Sequence, residues 1–196
     1  MEGHLPMSAP PSQQQFTSAI SFAPELLLRA QGIRVVFFDV DGVLTDGRLY
    51  FTESGESLKC FNTLDGHGLK MLQQAGITPV VITGRDSVPL RLRLQALGIE
   101  HVHFGCEDKR PAAQKTLGTL GLEWAQAAAM GDDWPDLPVM LRSALACASA
   151  NAHVEVLAVA HFVTRARGGA GAARELCDLI LVANGHYRRL LEKYTG

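Results

Sequence analysis

Cysteine is scarce in this sequence: there are four in 196 residues, and no two form a C-x-x-C pair. Cys60, Cys106, Cys147 and Cys177 lie far apart, which excludes a dense disulfide framework or a thiolate metal clip. Cys60 and Cys147 fall among apolar neighbours, where a thiol acts as a small hydrophobe. Such usage fits a reducing cytoplasm. Charge of one sign is also lacking. A formal net charge of −2 offers no electrostatic footing for nucleic acid or a membrane surface. No apolar run approaches the roughly 20 residues needed to cross a bilayer. The opening "MEGHLPMSAPPSQQQFTS" lacks the basic start and apolar stretch of a secretory signal. Its Pro, Ser and Gln predict a flexible arm over residues 1–21. The seven histidines are scattered, with no pair at helical zinc spacing, and there is no internal repeat.

What remains, residues 22–196, is long enough for one domain with a proper core. Apolar runs alternate with helical stretches. Strands are predicted at 34–40, 77–83, 101–104, 125–130, 144–149 and 161–164. Helices are predicted at 86–99, stopping at Gly98, at 110–120, near 153–159, and at 171–185, the last closing the fold. This order implies an α/β fold, a Rossmann-like parallel sheet with helices on both faces. Residues 47–62, "GRLYFTESGESLKCFN", break the alternation and predict a projecting β-hairpin turning at "ESGE". Leu49, Phe51, Leu58 and Phe61 are expected on its exposed face. A lone hairpin is barely stable in water, so a sister subunit's hairpin is its simplest cover.

The first strand runs straight into charge: "VVFFDVDGVLTDG", residues 35–47, ends in Asp39, Asp41 and Asp46. Crowded carboxylates raise one another's pKa unless a cation sits among them. Such a knot is tolerated when it holds a metal, moves protons, or lies open to water. The ends of the other strands favour the first two uses. The second strand ends in Thr83-Gly84-Arg85, the third is followed by Lys109, and the fourth by Gly131-Asp132-Asp133. In parallel α/β sheets, ligands bind outside the carboxyl ends of the strands.

Each of these groups has a task if the substrate is a phosphate monoester. Asp39 can attack phosphorus and form an aspartyl-phosphate. Asp41 can protonate the leaving oxygen and then deprotonate water. Mg²⁺ would relieve the crowding of anions through Asp39, Asp41 and Asp132, with Asp133 or Asp136 as outer support. The Thr83 hydroxyl and the backbone N–H groups after it suit phosphate oxygens. Lys109 supplies positive charge to the transferring group. Taken singly, each segment could be a turn, a helix cap or a solvated charge. Together they fall at four successive strand ends of one sheet.

These residues carry a resemblance. "DVDGVLTDG", "ITGR", Lys109 and "GDDWPD" resemble the four motifs of the haloacid dehalogenase superfamily. The likeness is nearer to one branch, the 3-deoxy-D-manno-octulosonate 8-phosphate (KDO 8-P) phosphatases, through "GESLKCFNTLDGHGLKML", "EDKR" and "AHFVTRARGGAGAARELCDLIL". It covers about residues 30–185. It implies Asp39 as nucleophile, Asp41 as acid/base, and Mg²⁺ held by the Asp39 carboxylate, the Asp41 carbonyl and Asp132. It also implies Thr83, Gly84 and Lys109 as phosphate ligands, with Arg85 and the "DGHG" segment, Asp65 and Gly66 included, helping to recognise a sugar phosphate. Asp65 could equally be a helix N-cap. The segment "RGGAGAARE" (167–175), overlapping a flexible stretch expected at about 165–173 before the last helix, resembles a tail that reaches a neighbouring site, in a branch that forms homotetramers.

The gaps between motifs leave no room for a cap domain, which is consistent with that branch. Four positions depart from its pattern: Asn151, Val154, Trp134 and Ala129. Other readings are a phosphatase for a nine-carbon sugar acid phosphate, a module related to cytidylyltransferase-associated phosphatases, or a non-catalytic oligomerisation module. The last predicts a lost nucleophile or acid, and none is lost. The function expected is Mg²⁺-dependent hydrolysis of KDO 8-P in lipopolysaccharide core biosynthesis.

Overall fold

The computed structural model describes residues 19–195, so the expected N-terminal arm lies, up to residue 18, outside the described residues. The chain begins with α1 (Pro24–Ala30), followed by β1 (Val35–Phe38). A hairpin of β2 (Tyr50–Thr52) and β3 (Gly55–Leu58) comes next, then α2 (Thr63–Gln74), β4 (Thr78–Ile82) and α3 (Val88–Leu97). The middle of the chain forms β5 (His101–His103), α4 (Lys109–Leu120) and β6 (Ala127–Gly131). It ends with α5 (Leu137–Met140), β7 (Leu145–Ala148), α6 (Val154–Val159), β8 (Phe162–Val163), α7 (Ala172–Ala183) and α8 (Tyr187–Thr195).

Six strands form one parallel sheet in the order β5-β4-β1-β6-β7-β8. All four residues of β1 are buried, and successive side chains face opposite ways. Val36 and Phe38 join a core with Leu69, Leu72, Leu176 and Ile180, from α2 and α7. Val35 and Phe37 join a second core with Leu117, Val139 and Val156, from α4, α5 and α6. Each enclosed Leu or Ile contributes about 1.5–3 kcal/mol. The chain leaves β1 towards β4 and β5 on one side, then returns to build β6 on the other. The loops after β1 and β6 therefore diverge and open a crevice at the centre of the sheet.

Several local expectations are corrected. The helix at 171–185 does not close the fold, because α8 follows it; Leu190 of α8 is buried. The helix α1 was not anticipated. Asn62, not Asp65, caps α2, its side chain accepting from Leu64 N–H at 2.8 Å. The hairpin forms its own two-stranded sheet with Leu49, Tyr50, Phe51 and Leu58 exposed, but Phe61 turns in against the main core. Cys60 is exposed rather than lodged among apolar side chains. Between the first two motifs only the hairpin and α2 intervene, and between the second and third only α3 and β5, so there is no cap domain.

Candidate active site

Asp39 stands one residue past β1, its N–H donating to Met130 O at 3.0 Å and prolonging the β1–β6 ladder. Its side chain is buried. The chain then turns at Gly42, whose φ is +101°. A Cβ there would lie 2.0 Å from Asp132 Oδ2, so only glycine lets the β6 loop carboxylate pack against this turn. The turn is held from behind. Ser149 Oγ donates to Gly42 O at 3.0 Å, and Gly169 N–H donates to Val43 O at 3.0 Å.

Lys109 opens α4, whose N-terminus is capped by Asp108. It is buried rather than solvated, and its ammonium donates to Asp39 and, at 2.6 Å, to Asp136. The other oxygen of Asp136 accepts the N–H groups of Asp132 at 2.9 Å and Asp133 at 3.2 Å. Asp136 thus organises the loop. Asp133 is exposed and caps the short 3-10 turn Trp134–Asp136. Thr83 is buried at the end of β4, with its hydroxyl accepting Arg85 N–H at 3.2 Å. Asp39, Asp41, Thr83, Gly84, Arg85, Lys109, Asp132, Asp133 and Asp136 all line one cleft of about 490 Å³.

The electrostatics divide this cleft in two. Asp39, Asp132 and Asp136 bring carboxylate oxygens within 4.8 Å of one another. Among the described residues only Lys109 pairs with this trio, so with all three carboxylates ionised there is an excess of two negative charges. Burial, then the charge of Asp136, pushes Asp39 up to about 7, against the pull of Lys109. Burial, then Asp39, Asp136 and Asp133, pushes Asp132 up to about 8. Burial works against the Lys109 ammonium, yet Asp39 and Asp136 outweigh it and raise its pKa. The other half belongs to Asp41, which pairs with Lys59 and lies 3.6 Å from Arg85 Nε.

Two expected substrate residues are not brought to the cleft. Asp65, buried within the first turn of α2, accepts the N–H groups of Gly171 at 3.2 Å and Arg174 at 2.8 Å. Gly66, also on α2, lies under Arg93, whose Nη2 is 2.2 Å from where a Cβ would stand. The glycine-rich segment near 165–173 lies against its own chain: Gly168 N–H donates to Asn151 Oδ1 at 2.8 Å, and Glu175 accepts from the N–H groups of Arg165 and Ala166. Asn151 therefore supplies the acceptor an aspartate would. Trp134, 60% exposed, leans on His153, its Nε1–H donating to Nδ1 at 3.0 Å.

Sequence reasoning missed Lys59 and Glu56. Lys59 is fully enclosed and pairs with both Asp41 and Glu56. A signal was present: strand alternation puts Lys59 on the side opposite exposed Leu58, facing inward.

Comparison with known proteins agrees with this geometry. Residues 105–176 match the haloacid dehalogenase-like hydrolase family. The chain is 45% identical over 174 residues to the 3-deoxy-D-manno-octulosonate 8-phosphate phosphatase KdsC of Yersinia pestis, covering 89% of this chain and 91% of that one. A probable YrbI family phosphatase from Pseudomonas syringae superposes with a TM-score of 0.86 at 49% identity, over 89% of this chain and 99% of that one. The Moraxella catarrhalis KDO 8-P phosphatase, solved with magnesium, phosphate and KDO, gives 0.84 at 35% identity, over 87% and 98%. With such identity along nearly its whole described length, the chain belongs to the KDO 8-P phosphatase family of the haloacid dehalogenase-like hydrolases.

Proposed function

We propose that the chain is a Mg²⁺-dependent phosphatase that converts KDO 8-P and water to 3-deoxy-D-manno-octulosonate and phosphate. The observation that carries this reading is the excess of negative charge that Asp39, Asp132 and Asp136, when ionised, hold over Lys109 among the residues lining a cleft of about 490 Å³. A divalent cation balances it. The donor set is all oxygen, as a hard cation requires. Asp136 has both oxygens engaged by Lys109 and by backbone N–H groups, which suits an outer role. Asp39, the Asp41 carbonyl and Asp132 would hold the ion, with Asp133 also outside. Bound there, Mg²⁺ would offset the charge of the phosphate and of the acids that face it.

In the first step an Asp39 carboxylate oxygen attacks phosphorus, the P–O bond to the sugar breaks, and Asp41 gives its proton to the departing alkoxide. In the second, Asp41 takes a proton from water, the hydroxide attacks the aspartyl-phosphate, and Asp39 is regenerated with release of phosphate. The Thr83 hydroxyl, the Gly84 N–H and Lys109 hold the phosphoryl oxygens through both steps. Arg85, exposed along the same cleft, would help to recognise the sugar acid. The activity suits a cytoplasmic enzyme of lipopolysaccharide core biosynthesis. A homotetramer would cover the open cleft, bringing hairpins and glycine-rich segments beside neighbouring sites.

The test is phosphate release from a panel of eight- and nine-carbon sugar acid phosphates, with Mg²⁺ and with a chelator. KDO 8-P should be preferred, chelation should stop turnover, and Asp39→Asn should abolish it. A preference for the nine-carbon ester, or near-normal turnover by Asp39→Asn, overturns the substrate or the mechanism respectively.

A further inference from the structure

Asp41 stands apart from the charge cluster built on Lys109. Its two carboxylate oxygens face different cations: Oδ1 accepts from Lys59 Nζ, whereas Oδ2 lies 3.6 Å from Arg85 Nε, outside hydrogen-bond range. Among the described residues, Lys59 is thus the hydrogen-bond donor to the Asp41 side chain. Lys59 lies just past β3, between two exposed residues, Leu58 and Cys60. Its own side chain has no exposure at all, and Glu56 Oε1 lies 2.6 Å from its ammonium. A buried ammonium carries a desolvation penalty of several kcal/mol, and an apolar residue would seat a hairpin more cheaply. The placement makes sense if the charge serves Asp41.

We propose that Lys59 is a positioning residue for the acid–base step: through its bond to Asp41 Oδ1, the hairpin fixes the carboxyl so that Oδ2 faces the leaving oxygen. This rests on the reading of Asp41 as proton donor given above. The arrangement divides labour between two lysines. Lys109 serves the nucleophile and phosphoryl group from α4, while Lys59 serves the proton carrier from the hairpin. It also explains why the hairpin follows the first motif so closely: its inner side completes the site, and its outer side is left apolar.

The experiment compares kcat/KM, which reports the first chemical step, for two kinds of ester. A sugar phosphate expels an alkoxide that needs a proton; p-nitrophenyl phosphate expels a stable phenolate that does not. Lys59→Met should cost about 10–100-fold in kcat/KM on the sugar phosphate, part of what a general acid supplies, and leave the phenyl ester nearly unchanged. In an Asp41→Asn background, Lys59→Met should add no further loss on the sugar phosphate, because the two act as a unit. Equal losses on both esters, additive losses in the double variant, or no loss at all would overturn the proposal. If Lys59→Met does not fold, Lys59→Ala, which removes the donor and leaves room for water, carries the same comparison. Failure of the functional reading is separate: there the unaltered protein would hydrolyse no sugar phosphate, or Asp41→Asn would show no dependence on the leaving group.

Discussion

Asp65 on α2 accepts the N–H of Arg174 on α7 at 2.8 Å, and that of Gly171 at 3.2 Å, so the start of α7 is capped from another helix. Gly171 occupies the N-cap position of α7 and has no side chain to do this. The residue expected to touch substrate is instead a buried tie between the two helices that cover one face of the sheet. Asp65→Ala should destabilise the fold by about 1–3 kcal/mol, since it orphans two buried donors. Asp65→Asn should cost less, and kcat at a temperature where the variant stays folded should hold. Chemical denaturation with parallel kinetics decides; a selective loss of kcat without destabilisation would return Asp65 to the site.

The crowding of acids gives the metal-free protein a definite pH dependence. Asp132 sits at about 8 when folded, against an ordinary value of 3.8. The folded state therefore binds the extra proton between those values, and stability from this group falls as pH rises through that window, then levels above 8. Asp39, at about 7, acts in the same direction. Chelator-treated protein should lose Tm between about pH 4 and about pH 8, and Asp132→Asn should flatten the slope. Mg²⁺, which binds the ionised carboxylates and releases their protons, should restore most of the loss at the upper end. An identical slope in Asp132→Asn would exclude this origin.

Much of this was legible because it is local or periodic. The four burial-doubled residues of β1 announce a central strand, and Asp39, Asp41, Thr83, Lys109 and Asp132 are placed by strand ends alone, since a parallel sheet gathers those ends on one edge. What stayed hidden depends on contacts across the chain. Asp65 reads as a cap or a ligand until α7 is laid beside α2. Alternation turns Lys59 inward, but its partner Asp41 is named only once the hairpin folds back on the turn after β1. Phe61 reads as one more apolar hairpin residue because alternation does not mark where the hairpin ends. The helix α8 was missed because its apolar stripe is thin: Leu190 is its one buried residue.

Gly42 is where the nucleophile loop and the metal loop come closest. At φ +101°, and with Asp132 Oδ2 only 2.0 Å from where a Cβ would stand, Gly42→Ala should displace the Asp132 carboxylate as well as strain the turn. Weaker Mg²⁺ binding, measured by calorimetry, should accompany a fall in kcat. Gly76→Ala, also at positive φ but with open space around it, is the control for strain alone. It should lower stability and leave Mg²⁺ affinity unchanged. Equal Mg²⁺ affinity in both variants would show that Asp132 does not hold the ion.

The exposed apolar residues of the hairpin set the last expectation. Leu49, Tyr50, Phe51 and Leu58 are 38%, 40%, 62% and 55% exposed on a two-stranded ribbon that, among the described residues, pairs with no other strand. Isolated ribbons of this kind are marginal in water, and contiguous apolar patches on them mark interaction surfaces. A second copy of the chain offers the same patch and satisfies both. Phe51→Glu together with Leu58→Glu should convert the assembly to monomer in sedimentation velocity, because like charges would then face each other across the contact. If Lys59 holds Asp41 from the inner side of the same ribbon, loosening the outer side should also slow sugar phosphate hydrolysis more than hydrolysis of p-nitrophenyl phosphate. Unaltered protein that sediments as a monomer at micromolar concentration would remove the assembly from the argument, and a monomeric variant with full activity on both esters would uncouple the hairpin from the proton step.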